Sequence, residues 1–502
     1  MPALDRIEES WLDPALIETV PVDWVRRQGI VPLRREGRVA LAGTQTTPLQ
    51  AYEDLALLLG VEADWFVAPA PDIQRAIDRT YFRRAGAPAP VPSGEGELEI
   101  PSRRESDDLL AGSIDAPVAQ YVNLILLEAV KRGASDIHIE PFAKALTVRY
   151  RIDGLLYEQP APPRHLEGAL AARLKVMARL DLAEKRLPQD GVARVRVGAQ
   201  EIDVRVSSVP VAEGERIVLR LLHRESTRYT LNELGMTSAA LDLFRGILRE
   251  PHGIVLVTGP TGSGKTTTLY AALGELDTAH LNVLTIEDPI EYQLPNIGQM
   301  QVHPKIGLTF ARGLRHVLRQ DPDVVLVGET RDLETAEIVV RASLTGHLVF
   351  TTLHTNDAVG AVTRLVDMGI PAYLLASAAR AVLAQRLVRR LCPRCRRETR
   401  LSAVEAEWLG HPGFAGRPVW EPCETGCADC LGGYKGRTGI HELLVVAPAV
   451  SEAIRTAVPS TELRRLAVAS GFRDMLDDGT DKILAGMTSV AEVLRSAGSR
   501  RE

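Results

Sequence analysis

The sequence predicts an α/β protein of several domains, the largest built on a parallel, helix-covered sheet. Three observations predict it. From about Thr230 onward, apolar runs of strand length alternate with helical patterns, as such a sheet requires. One of those runs, Gly253 to Thr258, leads directly into a glycine-rich loop and then a helical pattern. The chain has 502 residues, and at about 150 residues per domain that implies roughly three domains.

Residues 1–84 read as a small α/β unit. Asp13-Pro14 opens one helix, Pro48 to Leu59 reads as another, and Gly37 to Ala42 as a short strand. Residues 85–113 are rich in Pro, Gly, Ser and charge, with too little apolar surface to fold alone, and read as a linker. Residues 114–222 form a middle unit. It begins with a helix to Val130, followed by strands at Asp136–Ile139 and Val148–Ile152 and a hairpin turn at Asp153-Gly154. A helix is expected from His165 to Leu182. Alternating segments at 193–197, 201–206 and 216–221 complete an antiparallel sheet. Residues 223–390 carry the parallel sheet, 391–436 a cysteine-bearing insert, and 437–502 a C-terminal helical subdomain.

Composition excludes several classes. Apolar residues make up 45% and charged residues 25%, as in soluble globular chains. The net charge is −6, from 59 basic and 65 acidic residues, which argues against nucleic acid as a partner. No apolar run reaches the roughly 18 residues of a membrane span. The nearest, Val118 to Val130, contains Gln120, Asn123 and Glu128. The N-terminus lacks the order of a signal peptide, so a cytoplasmic protein is expected, bound to membranes only through partners.

Gly259-Pro260-Thr261-Gly262-Ser263-Gly264-Lys265-Thr266 is a complete P-loop between a buried strand and a helix that starts near Thr267. Its glycines let backbone N–H groups face a β-phosphate. Lys265 is placed to reach the β- and γ-phosphates, and the Thr266 hydroxyl to bind Mg²⁺. A second strand, Asp323 to Gly328, ends in Glu329, suited to the magnesium shell or to polarising water. Between them Val283 to Ile286 ends in Glu287, Asp288 and Glu291, and Glu287 is the first choice for a water-orienting base. The alternative for such acids is a solvated loop. A further strand from Leu348 is flanked by His347 and His354, which are structural residues or, for His354, a γ-phosphate sensor.

All five cysteines fall within 39 residues. Cys392/Cys395 and Cys427/Cys430 are two C-x-x-C pairs separated by 31 residues, the pattern of one structural tetrahedral Zn²⁺ site. Cys423 is expected to be a spare thiol.

The segments GPTGSGKT, TIEDPIEY, DVVLVGE and HLVFTTLHTN, in this order, resemble the Walker A, Asp box, Walker B and His box of the secretion ATPase superfamily. So do SDIHIEP, VRYRIDG, EKRLPQDG, DVRVS, GERIVLRLL, FARGLRHVLRQDPD, DMGI, LAQRLVR and GYKGRTGIHELL. The chain looks most like the type II secretion ATPases, and the alternative is a type IV pilus assembly motor. The cysteine insert and the single short N-terminal unit favour the former. The resemblance implies a RecA-like ATPase domain preceded by a PAS-like domain, assembled as a homohexamer that hydrolyses ATP. It also implies that Arg205 and Arg220 of the middle unit reach the nucleotide, with Arg315, Arg319 and Arg331 at the nucleotide or subunit boundary. The N-terminal unit is then expected to dock on the cytoplasmic domain of an inner-membrane secretion protein, and the motor to drive an inner-membrane platform protein. Thr330, after Glu329, departs from the apolar residue usual in relatives.

Overall fold

The computed structural model describes residues 1–2, 4, 6–13, 16, 25, 28–35, 38–59, 61, 63–82, 107–108, 117–197, 200–223 and 229–499. It divides into two compact units, 1–102 and 103–502.

In the first unit, β1 (Ile30–Arg35) pairs antiparallel with β2 (Arg38–Gly43), which pairs in parallel with β3 (Asp64–Val67). Helices α1 (Leu49–Leu59) and α2 (Ala70–Phe82) cover the sheet. Ile30, Leu33, Leu41, Tyr52, Leu55, Ile73 and Ile77 share one core. Tyr52 keeps its hydroxyl satisfied there by donating to the Phe66 carbonyl. The helix expected to open at Asp13-Pro14 lies, beyond Asp13, almost wholly outside the described residues.

The second unit opens with β4 (Asp107–Asp108), which pairs in parallel with β8 (Gln189–Val197). These two residues fall within the expected linker over 85–113, whose other members lie outside the described residues. Next come α3 (Pro117–Lys131), β5 (Asp136–Pro141), β6 (Leu146–Ile152) and β7 (Leu155–Gln159). Asp153-Gly154 makes the expected hairpin turn. After β8 follow β9 (Gln200–Val211) and β10 (Gly214–His223). The sheet order is β4-β8-β9-β10-β5-β6-β7, antiparallel throughout except at β4.

Burial alternates strictly along β6, so one face of this sheet packs on a core and the other stays more open. The helix expected over His165–Leu182 is shorter. A 3-10 turn, Arg164–Leu166, leads into α4 (Glu167–Met177). Arg179 then adopts φ +58°, and the Asp181 carboxylate accepts from the Ala183 N–H. Local acceptors of this kind compete with helix continuation in a way apolar periodicity does not reveal.

Helix α5 (Ser238–Ile247) leads into β11 (Gly253–Thr258), followed by α6 (Lys265–Leu273), β12 (Val283–Glu287) and β13 (Gly298–Gln301). Then come α7 (Phe310–Val317), β14 (Val324–Val327), α8 (Leu333–Leu344) and β15 (Leu348–Leu353). Helices α9 (Ala358–Asp367) and α10 (Ala372–Ala378) precede β16 (Ala379–Leu391). The insert contributes β17 (Arg397–Arg400), α11 (Ala403–Trp408) and β18 (Pro418–Glu421) before β19 (Tyr434–Val445). Four helices close the chain: α12 (Pro448–Arg455), α13 (Ser460–Ala469), α14 (Met475–Leu484) and α15 (Val490–Ala497).

The large sheet runs β13-β12-β14-β15-β11-β16-β19, parallel except between β16 and β19. Strand β11 is buried along its whole length. Ile254 and Leu256 enter one core, Val255 and Val257 the other, so both faces are covered, as a parallel sheet demands. The expected boundary at 436/437 falls inside β19, so the insert is an excursion between two paired strands of this sheet. No helix among the described residues is long and apolar enough to cross a membrane.

Candidate active site

Strands β11, β12, β14 and β15 run parallel. The P-loop, Glu287, Glu329 and His354 therefore emerge at the same carboxyl edge of the sheet, where open α/β sheets bind ligands. The P-loop needs its glycines. Gly259 has φ +147°, and a Cβ there would lie 2.4 Å from the Gln385 carbonyl oxygen. Gly264 caps α6 with φ +88°, a conformation that aims the first N–H groups of the helix outward into the loop. Pro260, Thr261 and Gly262 form the turn, Ser263 is buried within it, and Thr266 and Thr267 occupy the first turn of α6. Lys265 Nζ donates to the carbonyls of Gly259 at 2.8 Å and Pro260 at 3.1 Å. Burial lowers the pKa of its ammonium group, and the Glu329 charge opposes that shift.

Glu329 lies just past β14. Its Oε2 is 2.7 Å from Arg331 Nε and 3.7 Å from His354 Nε2. Burial, then the Lys265 charge, lowers the His354 pKa, with Glu329 pulling the other way. A histidine shifted downward is chiefly a neutral imidazole at pH 7, with one ring nitrogen to donate. Lys265, Glu329, Arg331 and His354 thus form one cluster around the P-loop.

Glu287 stands apart from that cluster. Its side chain is 3% exposed and accepts from Tyr270 Oη, Thr285 Oγ1 and Gln299 Nε2. Both oxygens are engaged. Burial raises the Tyr270 pKa, and the Glu287 charge adds to it, so Tyr270 stays a hydrogen-bond donor. Arg205 and Arg220 face each other on β9 and β10. Among the described residues neither makes an ion pair or side-chain hydrogen bond with the P-loop. Arg315 pairs with Glu334 and Arg319 with His316. His347 sits at the opposite end of β15, bonded to the Ala342 carbonyl.

Several residues join these elements in ways that the sequence did not reveal. Gln385 on β16 is 2% exposed, and its Nε2 donates to the Ser263 carbonyl at 2.7 Å, bracing the loop from behind. Thr258 Oγ1 meets Thr355 Oγ1 at 2.7 Å, tying the end of β11 to the segment after His354. Thr352 Oγ1 donates to the Gly328 carbonyl, and Thr330 Oγ1 meets Thr351 Oγ1, tying β14 to β15. Gln385 was visible inside LAQRLVR, but nothing local marks a strand glutamine as a loop brace.

Cys392, Cys395, Cys427 and Cys430 converge so that their sulfurs all lie within 4.8 Å of one another. The pairs Cys392–Cys427 and Cys395–Cys430 are 3.7 and 3.6 Å apart. Sulfurs about 2.3 Å from one tetrahedral zinc stand roughly 3.8 Å apart, so this donor set can hold a metal ion. Both pairs sit at the neck of the β16–β19 excursion. Cys423 lies outside the group, its sulfur near Thr425 Oγ1 and Arg397 Nη2.

A P-loop at the carboxyl edge of a parallel sheet, with an acid ending a strand two places away, defines a P-loop ATPase. The chain belongs to the type II/IV secretion system protein family, whose profile matches residues 112–495. The MshEN domain profile matches residues 3–87. The type II secretion system protein E of Aeromonas hydrophila is 46% identical over 488 residues, covering 96% of this chain and 97% of that protein. The type II secretion system ATPase E of Vibrio cholerae serotype O1 is 53% identical over 395 residues, 78% of this chain and 77% of that protein. Among solved structures, the pilus retraction motor PilT with bound ADP is 27% identical. It superposes with a TM-score of 0.51 over 74% of this chain and 95% of that one.

Proposed function

We propose that this chain is the motor ATPase of a type II protein secretion system, hydrolysing Mg-ATP to ADP and phosphate as a homohexamer that drives pseudopilus assembly. The observation that carries the reading is Glu329, held beside Lys265 and His354 at the P-loop, in a chain about half identical to type II secretion ATPases.

In this reading the P-loop N–H groups and Lys265 take the β- and γ-phosphates, exchanging the loop carbonyls for phosphate oxygens. Thr266 and Glu329 are the residues that would hold Mg²⁺, which neutralises charge on the phosphates. Glu329 orients the attacking water, and neutral His354 donates toward the γ-phosphate. Enclosed Glu287 supports the site rather than acting as the base. Arg205 and Arg220 reach the triphosphate, about four negative charges, when the middle sheet closes on the ATPase sheet; planar guanidinium groups suit that role. The threonine ties between β11, β14 and β15 pass the change at the phosphate to the strands.

The four cysteines hold structural Zn²⁺. The first unit docks on the cytoplasmic domain of an inner-membrane secretion protein, the motor acts on an inner-membrane platform protein, and the protein is cytoplasmic and peripheral to that membrane. Phosphate release that requires Mg²⁺, from a gene lying among pseudopilin and secretin genes, supports the reading. A neighbourhood of major pilin and retraction-motor genes would assign the motor to pilus assembly instead. Nucleotide binding without phosphate release by the assembled protein would make it a regulator.

A further inference from the structure

The SDIHIEP segment has no part in the phosphate chemistry described so far, yet it lies against Arg220. It forms β5, next to β10 in the middle sheet. Strand register places Arg151, Asp136, Arg220 and Arg205 in one row across β6, β5, β10 and β9, each directly opposite the next. Residues opposite one another in antiparallel strands point to the same face. The row therefore reads cation, anion, cation, cation.

Arg220 and Arg205 are like charges in direct opposition, an arrangement that destabilises a sheet and pushes the two side chains apart. Asp136 offsets this. Its Oδ1 accepts from Arg220 Nε at 2.9 Å, and its Oδ2 accepts from Ser135 Oγ at 2.8 Å and lies 3.8 Å from Arg151 Nε. The Asp136 side chain is 8% exposed and that of Arg220 is 57% exposed. A fixed, buried carboxylate thus grips the stem of an exposed guanidinium. Because the grip is on Nε, the two terminal nitrogens of Arg220 stay available to a second acceptor.

We infer that Asp136 is a positioning residue for ATP hydrolysis, holding Arg220 by its Nε so that the arginine's outer nitrogens meet the triphosphate. This rests on the reading of Arg205 and Arg220 as nucleotide-reaching arginines. Glu140, four residues further along β5 and on the same face, provides an internal comparison. It pairs with Arg149 and Arg216 and with neither of the two arginines in question.

The test measures kcat, KM for Mg-ATP, sedimentation and melting temperature for Asp136→Asn, Arg220→Ala, the double variant and Glu140→Gln, in the full-length assembled protein. Asp136→Asn is expected to lower kcat about tenfold or more with little change in KM, since misplacing a group by about 1 Å has effects of this size. In the Arg220→Ala background the same change should add no more than about a twofold effect, because residues acting as a unit are not additive. Glu140→Gln should keep kcat near that of the wild type. If Arg220→Ala itself turns over normally, the arginine reading fails and the role of Asp136 falls with it. If Arg220→Ala is slow but Asp136→Asn is normal, or slows turnover equally with and without Arg220, the positioning assignment alone is overturned. Should Asp136→Asn melt early, Asp136→Glu keeps the buried charge while shifting the carboxylate by one methylene. It is expected to fold and lose kcat, and a normal kcat in that variant also overturns the assignment.

Discussion

Two glutamates at neighbouring strand ends have opposite surroundings, and that difference separates their predicted behaviour. Glu287 is buried with Tyr270, Thr285 and Gln299 as donors, whereas Glu329 faces Arg331, His354 and the P-loop. Glu287→Gln replaces an acceptor with an amide N–H₂ facing donors. It is expected to destabilise the protein by about 1–3 kcal/mol, read as a lower denaturant midpoint. An unchanged midpoint together with lost turnover would return Glu287 to the role of base. The glutamates themselves were legible in the sequence, as strand-ending acids. Their division of labour was not, because it depends on Tyr270 and Gln299, which come from other elements.

At the level of elements, β19 shows how the sheet, the insert and the C-terminal helices are joined. Glu442 on this strand is buried, and it accepts from the Ala358 N–H opening α9 and the Met475 N–H opening α14. Burial pushes its pKa up to about 7. A carboxyl group whose pKa is raised on folding contributes stability that is fully present below its unfolded value, near 4.5, and is lost as pH rises through about 7. Relative to Glu442→Gln, the wild type should therefore lose roughly 3 kcal/mol between those limits, at about 1.4 kcal/mol per pH unit. Parallel stability–pH curves for the two proteins would contradict this.

The same strand closes the metal site. Zinc content should fall in each of Cys392→Ser, Cys395→Ser, Cys427→Ser and Cys430→Ser but not in Cys423→Ser, and nucleotide binding should survive in all five. Zinc lost with Cys423→Ser and retained with Cys427→Ser would change the ligand set. The spacing of the two C-x-x-C pairs made the cluster readable from sequence. That the chain between them leaves and rejoins one sheet was not, since β16 and β19 pair across that whole interval.

For the whole molecule, the parallel sheet and the antiparallel middle sheet followed from hydrophobic patterning. The shortened α4 and the β4 bridge depended on local acceptors and on pairing with a distant strand. The proposed hexamer closes the middle sheet onto the nucleotide, so Arg205 and Arg220 matter only in the assembled state. An Arg205→Ala, Arg220→Ala double variant is expected to sediment as the wild type does, bind ATP, and lose most of its turnover. Normal turnover in that assembly would remove the arginines from the mechanism.

The central claim is hydrolysis at a P-loop served by Glu329, and phosphate release by assembled Glu329→Gln tests it most directly. ATP binding is expected to stay near that of the wild type while turnover falls by about 10²-fold or more, as for a lost catalytic group. Turnover equal to that of the wild type, with ATP still bound, would contradict the account.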